Sequence, residues 1–94
     1  MPKKQALVAV KDQHEGPWLI AHGYELAYHI EGLGDGEEIV MEWEELTLSG
    51  HQLGMPVIHT KDGSSSVLPP KGAKYRFVKT KGGIKQTSVT VEFR

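Results

Sequence analysis

Short stretches of alternating apolar and polar residues, separated by glycine- and proline-containing turns, constrain this chain most. Tyr24, Leu26, Tyr28 and Ile30 form one face of a predicted strand and alternate with polar or small residues, and Val89 and Val91 alternate in the same way near the end. A period of two is typical of a β-strand with one buried face. Turn signals recur about every ten residues, which is the pattern of an antiparallel sandwich or small barrel. We therefore predict an all-β chain, an antiparallel β-sandwich (Ig-like or jelly-roll-like) of seven to eight short strands.

The turns are predicted from their glycines. Gly32–Gly36 and Lys81–Gly83 should reverse the chain, because glycine tolerates positive φ angles. Lys61–Ser65 contains an Asp-Gly pair of the kind that links antiparallel strands. Residues 49–54 are expected to form a loop. The N-terminal segment and the last strand, which ends at Arg94, are expected to be sheet edges.

Length and composition narrow the functional classes. The 94 residues form one predicted domain, residues 1–94. No apolar run reaches the roughly 18–20 residues of a spanning helix, and the basic start lacks a signal-peptide pattern. The absence of cysteine excludes disulfides, thiol nucleophiles and cysteine-ligated metals.

The net charge of −1 conceals an uneven distribution. Up to Thr47 the chain carries 3 basic and 10 acidic side chains, a net of −7; beyond it, 8 basic and 2 acidic side chains give +6. Acidic and basic strands could be neighbours whose side chains pair across a sheet. Alternatively, the charges could occupy separate faces and form two opposing contact patches. The candidate interaction residues are Asp35, Glu37, Glu38, Glu42, Glu44 and Glu45 on the acidic side, and Lys71, Lys74, Arg76, Lys79, Lys81 and Lys85 on the basic side.

No motif for catalysis or cofactor binding is found. The five histidines lack the close spacing of metal ligands, so we predict no metal and no catalytic residue. Gly32–Gly36 resembles a phosphate-binding loop, but no helix or lysine follows it as in that motif, so a strand connection is the better interpretation. No cofactor and no nucleic-acid partner are expected, because the aromatic residues of the basic region point inward.

The order of several segments resembles small β-sandwich proteins of tailed-bacteriophage virions. In that group a Gly-Pro-Trp sequence opens a strand, and a Tyr-Arg strand precedes a final hairpin. The matching segments cover about 80 residues: Glu15–Ala21, Gly32–Gly36, Asp62-Gly63, Pro70–Phe77 and Ser88–Phe93.

The resemblance implies a non-enzymatic structural role within a virion. A capsid decoration or cement protein, made in the host cytoplasm, would bind the major capsid protein or other virion proteins in many copies, and could form homo-oligomers. The alternative is a fibre or tail module that binds glycans or a host surface through Trp18 or Trp43. No membrane partner is expected.

Overall fold

Two antiparallel β-sheets pack face to face in a computed structural model, which describes residues 3–22, 25–47, 50–53, 56–69 and 71–93. The predicted all-β sandwich is confirmed, and these ranges contain no helix. The described residues form ten strands, more than expected because two of them have only two residues. They are β1 (Lys3–Val10), β2 (His14–Glu15), β3 (Leu19–Ile20), β4 (Leu26–Glu31), β5 (Glu38–Thr47), β6 (Gly50–Leu53), β7 (Val57–His59), β8 (Gly63–Val67), β9 (Lys74–Lys81) and β10 (Thr87–Phe93).

The first sheet has the strand order β1-β10-β4-β8. In the second sheet, β9 and β5 are the central pair. β2 and β3 both pair with the outer side of β9, while β6 and β7 both pair with the outer side of β5. Each edge of the second sheet therefore consists of two short strands in succession.

The core lies between the sheets and is built by the predicted alternation. Tyr28 and Ile30 from the first sheet are buried, and so are Met41, Tyr75 and Phe77 from the second. Tyr28 and Phe77 contact edge to face across the core, with ring centroids 4.9 Å apart. Each strand that supplies two or more such side chains is fixed in register, because a slip of one residue would expose them.

Two of the predicted turns join strands of different sheets. The Asp62-Gly63 turn joins β7 of the second sheet to β8 of the first, and the turn after Lys81 joins β9 to β10 in the same way. Neither is a hairpin, so the final hairpin of the virion-protein pattern is absent here. Asp62 instead accepts hydrogen bonds from the backbone N–H groups of Gly32 (3.1 Å) and Leu33 (2.7 Å), which fixes the turn after β4.

Two further expectations are wrong. The last strand, β10, is central in the first sheet, between β1 and β4, and is not an edge. The predicted loop at 49–54 contains β6, which pairs antiparallel with Glu44–Thr47 of β5. Pairing with a long neighbouring strand outweighs the weak β-propensity of this segment. Ser49, Gly54 and the predicted inward residue Tyr24 lie outside the described residues.

Two core tyrosines give a first prediction. The Tyr75 hydroxyl is buried and meets no hydrogen-bond partner among the described residues, and burial raises the pKa of Tyr75 to about 12. The Tyr28 hydroxyl lies 2.7 Å from Nε2 of His59. We expect Tyr75→Phe to raise the free energy of unfolding by about 1 kcal/mol and Tyr28→Phe to lower it by about 1 kcal/mol. Urea denaturation measures the free energy of unfolding of each variant. An equal loss of stability in the two variants would contradict the difference in hydrogen bonding between the Tyr75 and Tyr28 hydroxyls.

Candidate functional site

The acidic and basic segments lie next to each other in the second sheet. In the β5–β9 register, Glu42 is opposite Arg76, Glu44 is opposite Lys74, and Glu38 is opposite Lys81. Of the two interpretations of the charge distribution, the structure shows neighbouring strands. The prediction of opposing patches on separate faces is wrong for these strands, because the pairing of β5 with β9 places both charge types on the same sheet.

The other candidate residues are scattered. Asp35 is exposed in the turn before β5, and Lys71 and Lys85 are exposed in connecting segments. Glu45 lies opposite Gln52 in the β5–β6 register. Lys81 Nζ is 3.8 Å from Glu38 Oε2, and the lysine side chain is 66% exposed, so this contact is a weak surface pair.

Glu37 and Lys79 are removed from the surface altogether. Their side chains are 2% and 0% exposed, and Lys79 Nζ lies 2.9 Å from Glu37 Oε1. Lys79 Nζ also contacts the carbonyl oxygens of Val10 (3.1 Å) and Lys85 (2.9 Å) and the hydroxyl of Thr87 (2.9 Å). Four oxygens therefore surround the ammonium group, which explains how a lysine can be fully buried.

The Glu37 carboxylate is equally well enclosed. It accepts backbone hydrogen bonds from Gly34 (3.2 Å) and Lys85 (3.2 Å). The hydrogen bond from Lys79 is the main cause that lowers the pKa of Glu37 to about 2; burial opposes it, and the two backbone hydrogen bonds assist. A side chain at Gly83 would collide with the carboxylate, so glycine is required there. This ion pair joins the β4–β5 turn, β9 and the segment before β10.

Another charged cluster lies on the outer face of the second sheet. The Arg76 guanidinium stacks on the Trp18 ring, with Cζ 4.4 Å from the ring centroid. Its Nη1 donates to Glu15 Oε2 at 2.8 Å and its Nε donates to Glu42 Oε2 at 3.1 Å. We call these four residues the Trp18–Arg76 cluster. Both carboxylates and the ring hold the guanidinium in one orientation.

Apolar side chains lie on the same outer face. Val40 is opposite Val78 on β9 and opposite Ile58 on β7, and these residues alternate with the core positions of their strands. Ile58 is 58% exposed, and Ile20, opposite Lys74, is 56% exposed. Trp18 itself is 40% exposed. The outer face of the second sheet thus combines an oriented arginine, an exposed indole ring and exposed isoleucines.

The outer face of the first sheet is different in character. A groove of about 560 Å³ runs over it and is lined mostly by polar side chains, including Ser66, Thr90 and Glu92. Within it, His29 Nδ1 lies 2.8 Å from Ser64 Oγ, and His29 Nε2 lies 3.3 Å from Glu31 Oε1.

This serine, histidine and glutamate resemble the composition of a hydrolytic triad. In such triads the acid is buried, and backbone N–H groups are aimed at the developing oxyanion. The His29 and Glu31 side chains are 47% and 71% exposed, so water competes for their contact. We therefore interpret the three residues as a hydrogen-bonded surface network.

Within the described ranges no three histidine or acidic side chains are arranged to hold a metal ion, and no helix has the length and hydropathy to cross a membrane. No protein-family model, curated protein or solved structure matches the chain.

Lys79 and Trp18 were both named from the sequence, but neither with the contacts that the structure shows. Lys79 follows Tyr75 and Phe77 at intervals of two, so the alternation already placed it in the core. Trp18, which was named only as a candidate glycan-binding residue, follows Gly16-Pro17 and stacks on Arg76. Trp43, the other tryptophan, is half-buried and packs against the core.

Proposed function

We propose that this chain is a non-enzymatic structural protein of a tailed-bacteriophage virion, a capsid decoration or cement protein that binds the shell in many copies. The observation that carries the proposal is the Trp18–Arg76 cluster on an open sheet face, beside exposed Ile20 and Ile58. Tryptophan and arginine are the residue types that dominate the energetics of protein–protein interfaces.

The geometry of the cluster supports a preformed contact surface. Arg76 is oriented by Glu15 and Glu42 before any partner arrives, so little side-chain entropy is lost on binding. Those carboxylates also neutralise the guanidinium. Affinity should then come from burial of the Trp18 ring and the isoleucines, and should depend little on salt.

The virion assignment is supported by the sequence resemblance in the segments before the final hairpin, which this fold lacks. A small sandwich with one preformed contact face gives a modest affinity for each copy. Many copies on a repetitive shell would sum these contacts, because neighbouring sites raise the effective concentration. The shell protein is therefore the partner that this proposal names.

The test is co-sedimentation with shells that lack the chain, prepared from the phage that encodes it. We expect Trp18→Ala to weaken binding about 30-fold or more, since a central interface tryptophan contributes about 2 kcal/mol or more. Ile84→Ala is the matched control, because Ile84 is 87% exposed but lies in the β9–β10 connection. If both variants bound the shells as tightly as the unmodified chain, the shell would not dock on the face that carries Trp18.

A glycan-binding role is the second candidate, and the exposed Trp18 ring favours it. Sugars stack on exposed aromatic faces, and one face of this ring is already covered by Arg76. A glycan array separates the two functions. Binding to defined glycans that Trp18→Ala abolishes, without binding to shells, would favour this candidate over the shell.

A further inference from the structure

The outer edge of the first sheet is formed by β8, whose five residues carry no charge. β8 pairs with β4 in continuous register from Leu26↔Val67 to Ile30↔Gly63, without a bulge. Every second residue of an antiparallel edge strand directs its N–H and C=O groups away from the sheet. β8 thus presents an uncharged row of backbone donors and acceptors.

The other described edges carry features that hinder pairing. β1, the opposite edge of the first sheet, begins with Lys3 and Lys4 and has two register shifts, and Ala9 adopts a φ of +48°. Both edges of the second sheet are divided into short strands, with Pro17 between β2 and β3 and Pro56 before β7. Charge, bulges, proline and shortness are the devices that protect edges. β8 has none of the first three.

We propose that β8 pairs antiparallel with β8 of a second copy of this chain, which joins the two four-stranded sheets into one. The register centres on Ser65, so that Ser64 of each copy faces Ser66 of the other. A two-fold axis generates both contacts at once, because such an interface is self-complementary. The outward serine hydroxyls can hydrogen-bond across the pair.

The surroundings of β8 favour a second copy as the occupant. Ser65 is opposite the buried Tyr28 and therefore faces inward, and Ser64 is fixed by His29. The side chain of Asp62, the residue before β8, is directed into its own chain by Gly32 and Leu33. No like charges therefore meet in the centred register. This dimer uses the first sheet and does not depend on the Trp18–Arg76 cluster.

Sedimentation equilibrium of the full chain tests the proposal with charge variants of β8. We expect the unmodified chain to dimerise reversibly. In the double variant Ser64→Lys, Ser66→Lys, each lysine would face a lysine of the other copy and raise the dimer Kd about tenfold or more. The double variant Ser64→Glu, Ser66→Glu should behave in the same way. A mixture of the two should form a heterodimer, because unlike charges then face each other.

Gln5→Lys is the matched control, since Gln5 is exposed on β1 of the same sheet. It should leave the dimer Kd unchanged, and circular dichroism should show the native sheet in every variant. A chain that remains monomeric at about 1 mM would overturn the proposal. A dimer whose Kd is unchanged in the β8 variants would also overturn it. The same holds for a dimer that only Trp18→Ala disrupts. Shell binding is measured separately, so either proposal can fail alone.

Discussion

Lys79→Met is expected to lower the free energy of unfolding by about 3–5 kcal/mol. Methionine fills much of the lysine volume but leaves the buried Glu37 carboxylate without its cation, and the carbonyls of Val10 and Lys85 without a donor. A domain of this size has only about 5–15 kcal/mol of stability in total. Urea denaturation followed by the fluorescence of Trp18 and Trp43 measures the loss.

Two comparisons distinguish a buried ion pair from an ordinary lysine contact. Lys81→Met, on the same strand, removes an exposed lysine 3.8 Å from its partner and should cost less than about 1 kcal/mol. The double variant Lys79→Met, Glu37→Leu should recover much of the loss, because no uncompensated charge remains. If Lys79→Met and Lys81→Met lowered the free energy of unfolding by equally small amounts, the Glu37–Lys79 ion pair would not stabilise the connections around it.

The same ion pair predicts a loss of stability in acid. The pKa of Glu37 is about 2 in the folded chain, against an ordinary value of 4.5, and the Lys79 hydrogen bond is its main cause. The unfolded chain therefore binds more protons between these two values. The contribution of Glu37 to stability is complete above about pH 4.5 and is lost as the pH falls toward 2.

Carbon-detected NMR titration of the Glu37 side-chain carboxyl measures this directly. Its midpoint should lie near 2 in the unmodified chain. In Lys79→Met the pKa should move up, because burial, which raises it, is then opposed only by the backbone hydrogen bonds from Lys85 and Gly34. A midpoint near 4.5 in the unmodified chain would contradict the enclosed geometry of the carboxylate.

Much of the fold could be predicted because alternation is a local signal. The burial of Tyr28 and Ile30, and of Tyr75 and Phe77, follows from the period of two. The same pattern extended by one step predicts a buried Lys79. A carboxylate partner for it could then be sought among the ten acidic residues that precede Leu48, but the sequence does not single out Glu37.

The connections between strands could not be predicted in this way. A turn sequence such as Asp62-Gly63 reverses the chain, but it does not determine whether the next strand stays in the same sheet. Here Asp62 binds the backbone after β4, and β8 then pairs with β4 in the other sheet. The central position of β10 likewise results from long-range pairing with β1 and β4, which no local pattern encodes.

The candidate site was predicted only in part. Arg76 and Glu42 were both named as interaction residues, but on opposing patches. Arg76 and Glu42 are opposite each other in the β5–β9 register and form an ion pair, so their charges neutralise each other on one surface. Trp18 is positioned by its contact with Arg76, and these two residues are far apart in the chain. We therefore propose an interface that is dominated by an aromatic ring and its apolar neighbours, with charge in a positioning role.

The central claim is that the chain acts as a structural part of a phage particle, and one measurement tests it most directly. Virions are purified on a density gradient from cells that carry the gene, and quantitative mass spectrometry compares this chain with the major shell protein. We predict that the chain bands with the particles in a fixed ratio of many copies, and that Trp18→Ala reduces that ratio. A chain abundant in the lysate but absent from the purified particles would contradict the claim.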